Sequence, residues 1–392
     1  MVPSDDREGD MSKSNAPKLA PTRARIVALM GSNPSIGAPD IYRVTLPFSH
    51  LDKNSGIKAG WLPADKAQEM MQAKGATLSR NVRDLFGYDI VVLRRWLGEK
   101  EDAGVLVYKD IKQISKELTG KEAIVVYESD DDYSSRYRPA DITMGTWKPY
   151  IQHVDAVIAS TEPLGQLMAE EAGLDKYYVA KNYIPYEMFT STSRLAKRED
   201  DRITVMLAGT ATHDEDWKVV ADVMPKIIEV YPNVAFKVAG NVPDYLYGKC
   251  EFVAPVHYSQ YPALLRQADI LCCSLDPNDQ FNRSKSYIKA IEGWSSARPI
   301  GKNKTGGCAV IVSKAESYRG VVSNRHNGLV VEHTPEAWEN AIRLLIEDWR
   351  LRQKIQINGL KTARGYDMAV RWTDWHEVFS NILASRGQKE AP

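Results

Sequence analysis

The sequence of 392 residues predicts an α/β protein with two doubly wound domains. Its length is about two to three times that of a usual domain. Short apolar runs alternate with amphipathic stretches of helical spacing. Because these runs are apolar on both faces, they are typical of parallel strands covered by helices. A polar break between Tyr183 and Arg202 interrupts the alternation, which then starts again, so we expect a linker there.

Apolar runs on each side of the break predict the strands of two sheets. Before the break they are residues 26–30, 88–93, 123–127, 156–160 and 177–180, and after it 203–208, 235–239, 270–273, 309–312 and 328–331. A helix is predicted over 216–230, and the end of the chain, 335–383, is predominantly helical. Two such Rossmann-like domains leave a central crevice at the carboxyl ends of their strands, where doubly wound sheets bind ligands.

Charge and composition exclude several classes of protein. Lys+Arg and Asp+Glu both number 51, so the net charge of zero cannot attract a polyanion from a distance. The four cysteines have no metal-ligand or disulfide spacing, which favours a reducing, cytoplasmic location. No apolar run is long enough for a transmembrane segment. The polar residues 1–22 predict a disordered tail rather than a signal peptide.

The segment 281–293 is the first candidate binding site. It follows a strand and a loop, and we expect it to open a helix whose free N–H groups and positive dipole end face a ligand. Lys285 and Ser286 add a cation and a donor that suit a pyrophosphate. Glu292, seven residues after Lys285, would face the same side and accept hydrogen bonds from ribose hydroxyls. A solvated helix start with an ordinary surface Glu is the alternative.

A second candidate is the turn at Gly209 and Thr210, between a strand and a helix. Gly209 permits close approach of the backbone to a phosphate, to which His213 could donate a hydrogen bond. The alternative for His213 is helix capping together with Asp214 and Asp216.

Three adjacent carboxylates follow another buried strand, at Asp130, Asp131 and Asp132. Such neighbours raise one another's pKa and could hold a metal, orient a sugar hydroxyl or accept a proton from an acceptor. A turn cap is the plain alternative.

Basic and aromatic residues alternate nearby, at Arg136 and Tyr137 continuing to Trp147, and again at Arg94, Arg95 and Trp96. This mixture could stack on sugars, or on bases beside phosphates. Surface charges among half-buried aromatic rings would give the same pattern.

These segments, in this order, resemble the nucleotide-sugar-dependent glycosyltransferases of the GT-B fold, in particular the retaining family 4. The resemblance extends from Arg25 to Phe379. It rests on residues 42–47, 89–95, 127–132, 160–164, 181–185, 209–216, 285–292, and Tyr318 with 327–331.

The resemblance implies an acceptor domain over 23–190 and a donor-nucleotide domain over 200–367, with a helix at about 368–385 crossing back to the first. It implies that Glu292 binds the donor ribose and that Lys285 and Ser286 face its phosphates. The sequence departs from the family in two places. Ser284 stands where many members have a second glutamate, and His213 and Lys218 are the candidates where many relatives have an Arg and Lys pair.

The expected function is transfer of a sugar from a nucleoside diphosphate sugar, with UDP favoured, to an acceptor hydroxyl. Retention at the anomeric carbon is implied by the resemblance alone. Fixed cations and helix N–H groups can stabilise the departing diphosphate, so we expect no metal and no cofactor beyond the donor. The catalytic candidates are the three aspartates and His213. The acceptor-side candidates are Gly31, Ser32, Arg94, Arg95, Arg136 and Tyr137.

The identity of the acceptor stays open between a glycan, a lipid-linked acceptor and a nucleic acid. One alternative is a DNA glycosyltransferase of viral type that acts on hydroxymethylated bases. The other is a non-catalytic nucleotide-sugar-binding protein that kept the fold, an option suggested by Ser284.

Overall fold

The computed structural model describes residues 23–30, 38–63, 87–97, 102–134, 146–191, 202–240 and 242–389. The predicted tail at 1–22 lies outside them. We call residues 23–191 the first half and residues 202–367 the second half. Each half contains a six-stranded parallel sheet with helices on its faces, which confirms the predicted fold class.

The sheet of the first half has the strand order β2-β1-β3-β4-β5-β6. The strands are β1 Ala24–Met30, β2 Ile57–Leu62, β3 Ile90–Arg94, β4 Ile124–Ser129, β5 Ala156–Ala159 and β6 Tyr178–Val179. All except β2 were predicted. β2 was missed because it is an edge strand in which only Ile57 is buried, so it has no continuous apolar run.

Helices of the first half cover this sheet and carry several cavity residues. They are α1 Ala38–Asp40, a π-helical turn Ile41–Thr45, α2 Leu46–Asn54, α3 Asp102–Thr119, α4 Lys148–Ile151, α5 Glu162–Ala172 and α6 Tyr186–Thr190. The boundaries of α5 follow from local chemistry. The Thr161 side chain accepts a hydrogen bond from the Leu164 N–H, and Gly173 ends the helix in the left-handed conformation.

The sheet of the second half has the order β14-β13-β10-β7-β8-β9. Its strands are β7 Ile203–Gly209, β8 Val234–Gly240, β9 Glu251–Val253, β10 Ile270–Cys273, β13 Ala309–Ser313 and β14 Leu329–Val331, and a separate antiparallel hairpin pairs β11 Arg298–Gly301 with β12 Lys304–Gly306. The short β9 and the hairpin were not predicted, because neither has a buried apolar run.

The predicted single helix over 216–230 is wrong. The structure has two shorter helices there, α7 Lys218–Ala221 and α8 Met224–Val230. Pro225 lies in the first turn of α8, and a proline disfavours helical geometry at the preceding residue and donates no backbone hydrogen bond. The remaining helices are α9 Tyr261–Leu265, α10 Gln280–Arg283, α11 Ile288–Ser295, α12 Pro335–Glu347, α13 Trp349–Ala363 and α14 Met368–Lys389.

The last helix, α14, packs against the first half. Phe379 and Trp375 are buried and meet the Phe48 ring of α2 edge-on, with ring centroids 5.7 and 6.4 Å apart. The chain thus returns from the second half to complete the core of the first. No helix in the described part of the chain is long and apolar enough to cross a membrane. All four cysteines are free thiols.

Candidate functional site

A cavity of about 400 Å³ lies between the two halves. It opens at the carboxyl ends of β4, β7 and β8, since Asp130 follows β4 and Gly209 and Gly240 end the other two strands. This is the edge at which doubly wound sheets bind ligands, as the sequence predicts. Its polar lining includes Asp130, Asp131, Asn182, Thr210, His213, Lys285, Ser286, Lys289 and Glu292.

Lys285 and Ser286 line this cavity, but they do not begin a helix. Helix α10 ends at Arg283, and α11 begins only at Ile288, so both residues lie in the turn between them. Asp279 accepts a hydrogen bond from the Phe281 N–H and so starts a separate short helix ahead of this turn. The expectation that Lys285 opens the helix is corrected accordingly, while the start of α11 still adjoins the cavity.

The structure adds Lys289, which the sequence analysis missed. Its Nζ donates a hydrogen bond of 2.6 Å to the carbonyl oxygen of Ala208, at the end of β7. Burial lowers the pKa of Lys289, while the nearby Glu292 carboxylate opposes that shift. Lys289 precedes Glu292 by three residues, a spacing that places two side chains on one helix face and could have revealed it.

Because Gly209 has no side chain, the Lys289 ammonium can reach the Ala208 carbonyl oxygen. A Cβ atom at Gly209 would lie 2.9 Å from the Lys289 Nζ and 2.9 Å from the His213 Cδ2. Thr210 lines the same cavity. Lys218 does not belong to the cavity lining, because it is exposed and forms an ion pair with Glu215 at 2.6 Å. The structure therefore places Lys218 outside the cavity lining.

His213 is buried at the cavity wall and is held by Asp216. The His213 Nδ1 lies 3.1 Å from the Asp216 Oδ2, and the ring stacks on Trp217. Burial, assisted by Lys289 and Lys285, lowers the pKa of His213 well below its usual value. The imidazole is therefore neutral at pH 7. The capping alternative is wrong, because α7 has no side-chain cap, and His213 instead contacts Asp216 and lines the cavity.

Asp216 is itself buried, and burial raises its pKa to about 7. Its Oδ1 accepts hydrogen bonds from the Asp276 N–H at 2.8 Å and from the Asn282 Nδ2 at 2.6 Å. These contacts orient the carboxylate toward His213, and they fix the position of the ring beside Gly209.

Glu292 lies on the inner face of α11 among tyrosine rings. The Tyr258 hydroxyl is 3.5 Å from its Oε1, and Tyr42 of the first half meets the Tyr258 ring edge-on. Burial raises the pKa of Glu292 to about 7. The surface alternative for Glu292 is wrong, since it is 5% exposed. Neither Tyr42 nor Tyr258 was identified from the sequence, because only the tertiary structure brings them to Glu292.

The three aspartates have three different environments. Asp130 is buried and accepts a hydrogen bond of 2.7 Å from Arg94, and Asp132 accepts one from the Ser134 N–H. Asp131 is the most exposed of the three and lines the cavity beside Asp130. The expectation that the three carboxylates raise one another's pKa is wrong for Asp130. The Arg94 and Arg95 guanidinium groups outweigh its burial and hold its pKa well below the usual range.

Arg94 is not available to contact the acceptor substrate. It is fully buried and forms ion pairs with Asp40, Glu128 and Asp130, so it connects the end of α1 to the ends of β3 and β4. Arg95 adopts a left-handed backbone with φ of 52° and lies over the Tyr133 ring, 3.9 Å from Asp131. It is therefore the arginine of the pair that lies next to the cavity.

The other acceptor-side candidates, Gly31, Ser32, Arg136 and Tyr137, lie outside the described residues. Two aromatic residues of the predicted basic and aromatic segments, Trp96 and Trp147, are buried in the core of the first half and are therefore structural. In the described part of the chain, no three His, Cys, Asp or Glu side chains converge as metal ligands.

Two facing doubly wound parallel sheets with a ligand-sized cavity at their carboxyl edges define the GT-B fold, and solved structures with this fold match the chain. One is Anabaena Alr3699/HepE in complex with UDP and glucose, at a TM-score of 0.63 and 15% identity over 91% of this chain and 100% of that one. Others are sucrose-phosphate synthase from Thermosynechococcus elongatus (TM-score 0.61, 13% identity, 92% and 100% covered) and a glycosyltransferase from Rickettsia africae (TM-score 0.61, 15% identity, 92% and 99% covered).

A curated relative matches part of the sequence. It is a D-inositol 3-phosphate glycosyltransferase from Corynebacterium glutamicum (strain R), 25% identical over 138 residues. The match covers 35% of this chain and only 29% of that relative's length. No family model matches the chain. The chain thus has the GT-B fold, and its structural neighbours include glycosyltransferases.

Proposed function

We propose that the protein is a glycosyltransferase that moves a sugar from a nucleoside diphosphate sugar to an acceptor hydroxyl. One observation carries this proposal. A single cavity between two doubly wound sheets contains two lysines, a glycine turn at the end of a strand and a buried glutamate. An anionic, hydroxyl-bearing ligand such as a nucleotide sugar satisfies all of these groups together.

The donor diphosphate lies at Gly209 in this proposal, between the ammonium groups of Lys285 and Lys289. Charge-assisted hydrogen bonds from two lysines stabilise the negative charge that grows as the diphosphate leaves. His213, neutral and fixed by Asp216, borders the same position. These fixed groups replace a divalent cation in the proposed mechanism, which predicts equal activity in EDTA and in MgCl2.

Glu292 holds the nucleoside end of the donor. Its carboxylate accepts hydrogen bonds from the ribose hydroxyls, and the surrounding tyrosine rings exclude water from the nucleoside. A uridine nucleotide is favoured because HepE, which shares the fold over 91% of this chain, binds UDP and UDP-glucose. Retention of the anomeric configuration belongs to the same proposal and follows the resemblance to family 4. The anomeric proton of the product, observed by NMR, tests it.

The acceptor hydroxyl approaches from the first half, where Asp131 faces the cavity. Of the basic and aromatic side chains at the acceptor side, Arg94, Trp96 and Trp147 are buried and therefore not available to stack on bases. We accordingly propose a hydroxyl-bearing small molecule or glycan as the acceptor in preference to duplex DNA.

The test is binding of UDP and of uridine by calorimetry to Lys285→Met and Lys289→Met. We expect each variant to lose about 10- to 100-fold in affinity for UDP, the usual value of one charge-assisted contact. Binding of uridine, which has no phosphate, should change little. The turnover of UDP-glucose, measured as the release of UDP, should fall by at least the same factor as the affinity for UDP.

Lys218→Met is the matched control, because Lys218 lies near the same strand end but pairs with Glu215 outside the cavity. It should bind UDP as the wild type does. Wild-type affinity for UDP in both Lys285→Met and Lys289→Met would contradict the assignment of the cavity to a nucleoside diphosphate.

A further inference from the structure

The turn Ser284–Tyr287 belongs to the second half, yet all four of its residues contact the first half. The Thr161 hydroxyl donates to the Ser284 carbonyl oxygen at 2.9 Å, and the Asn182 Nδ2 donates to the Ser286 Oγ at 2.8 Å. The Tyr287 hydroxyl donates to the Asn182 carbonyl oxygen at 3.3 Å, and the Lys285 Nζ donates to Asp131 at 3.2 Å. The proposed phosphate-binding turn is therefore attached to the acceptor side of the cavity.

One of these contacts occupies a group that the donor needs. The Asp131 carboxylate is an anion placed against the Lys285 ammonium, which is the position that the proposed function gives to a donor phosphate. The Asn182 amide, in contrast, donates to the Ser286 Oγ and leaves the Ser286 O–H able to donate to a phosphate. A diphosphate carries more negative charge than one carboxylate, so it competes effectively for Lys285.

We propose that Asp131 takes the place of the donor phosphate at Lys285, and that donor binding displaces it so that it orients the acceptor hydroxyl. This inference rests on the proposed function. The released carboxylate accepts a hydrogen bond from the hydroxyl and directs its oxygen toward the sugar. The donor consequently binds before the acceptor, because Asp131 is engaged with Lys285 until the diphosphate arrives.

The surroundings of Asp131 single it out from its two neighbours. Asp130 is bound to the buried Arg94, and Asp132 accepts a hydrogen bond from the Ser134 N–H. Asp131 has Arg95 as its second cationic neighbour, with the Arg95 Nη2 3.9 Å from the Asp131 Oδ2. This second contact remains after Lys285 turns to the donor, so it keeps the released carboxylate at the rim of the cavity.

The test measures UDP affinity by calorimetry and UDP-glucose hydrolysis, in which water is the acceptor, for Asp131→Asn. The amide has the same shape but no charge, so the competition for Lys285 ends. We expect UDP to bind about three- to tenfold more tightly, the value of a partly exposed ion pair. We expect kcat for hydrolysis to fall at least tenfold. Tighter binding with slower turnover is a result that a merely structural role would not produce.

A double-mutant cycle tests whether the effect of Asp131 on UDP affinity comes from its direct contact with Lys285 or from the negative charge that it adds to the cavity as a whole. In a Lys285→Met background, Asp131→Asn should no longer raise UDP affinity, because the pair is already absent. Glu332→Gln removes an exposed carboxylate that pairs with Lys314, and it should change neither quantity. Asp131→Ala is a second variant that should reproduce both changes.

Two results would overturn the inference. Equal UDP affinity in the wild type and Asp131→Asn would overturn it alone and leave the proposed function standing. Failure of the wild type to bind UDP, GDP or ADP would overturn the proposed function and this inference together.

Discussion

Glu292 is a carboxylate that the fold keeps from water, and its burial has an energetic cost. Burial raises its pKa from the ordinary value of 4.5 to about 7. The folded chain therefore binds this proton more tightly than the unfolded chain does. Stability consequently falls as the pH rises from about 4.5 to about 7, by about 3 kcal/mol from this residue alone.

Glu292→Gln removes this cost, so we expect it to raise the free energy of unfolding by about 3 kcal/mol at pH 8 and by less than about 1 kcal/mol at pH 5. The same variant should bind UDP more weakly, because a neutral amide is a poorer acceptor for ribose hydroxyls. Urea unfolding at the two pH values and calorimetry with UDP measure the two effects. A variant less stable than the wild type at pH 8 would show that the carboxylate is well solvated in the folded protein.

Strand ends are the elements that shape the site. Gly209 and Gly240 end β7 and β8 side by side and both line the cavity. They tolerate substitution differently. A Cβ atom at Gly240 would lie 2.0 Å from the Gly209 carbonyl oxygen, and Gly240 has a φ of +107° that other residues rarely adopt. At Gly209 the new atom would meet only side chains, namely Lys289, His213 and, at 3.1 Å, the Trp217 ring.

We therefore expect Gly240→Ala to destabilise the protein by about 2 kcal/mol or more, because it strains the backbone. Gly209→Ala should keep most of its stability and lose UDP affinity by about tenfold or more, because it displaces the flexible end of Lys289 from the phosphate position. Thermal unfolding and calorimetry compare the two variants. Equal loss of stability in both variants would contradict the expectation that only Gly240→Ala strains the backbone.

Two predicted helical segments show how far local patterns predict an element. The apolar spacing predicted helical structure at 216–230 and again after residue 281, and helices are found in both places. The breaks in them were not predicted. Pro225 interrupts the first segment, and the capping residue Asp279 starts an extra short helix in the second. The proline and the capping aspartate are both visible in the sequence. Whether each of them interrupts or starts a helix depends on the tertiary contacts of the neighbouring turns.

At the scale of the whole molecule, α14 makes the stability of the first half depend on the end of the chain. We expect Phe379→Ala to cost about 3 to 5 kcal/mol, because Phe379 is fully buried against Phe48 and Trp375. Val370→Ala is the control on the same helix, since Val370 is 59% exposed, and it should change stability by less than about 0.5 kcal/mol. Urea unfolding followed by tryptophan fluorescence measures both. A cost below about 1 kcal/mol for Phe379→Ala would contradict the role of α14 in this core.

The sequence by itself determined the two parallel sheets, the crevice between them and the positions of Gly209, His213, Lys285 and Glu292 beside it. Buried parallel strands have continuous apolar runs, and the residues that follow them necessarily lie at one edge of the sheet. These are local properties that a single sequence expresses directly.

Only the tertiary structure decided which of these residues act together. It paired Asp131, rather than Asp130 or Asp132, with Lys285 at the cavity, buried Arg94 in ion pairs and placed Lys218 outside the cavity lining. It also brought Tyr42 and Asn182 of the first half to residues of the second half. The physical reason is that burial and ion pairing depend on contacts between segments far apart in the chain, and those contacts leave no periodic pattern in the sequence.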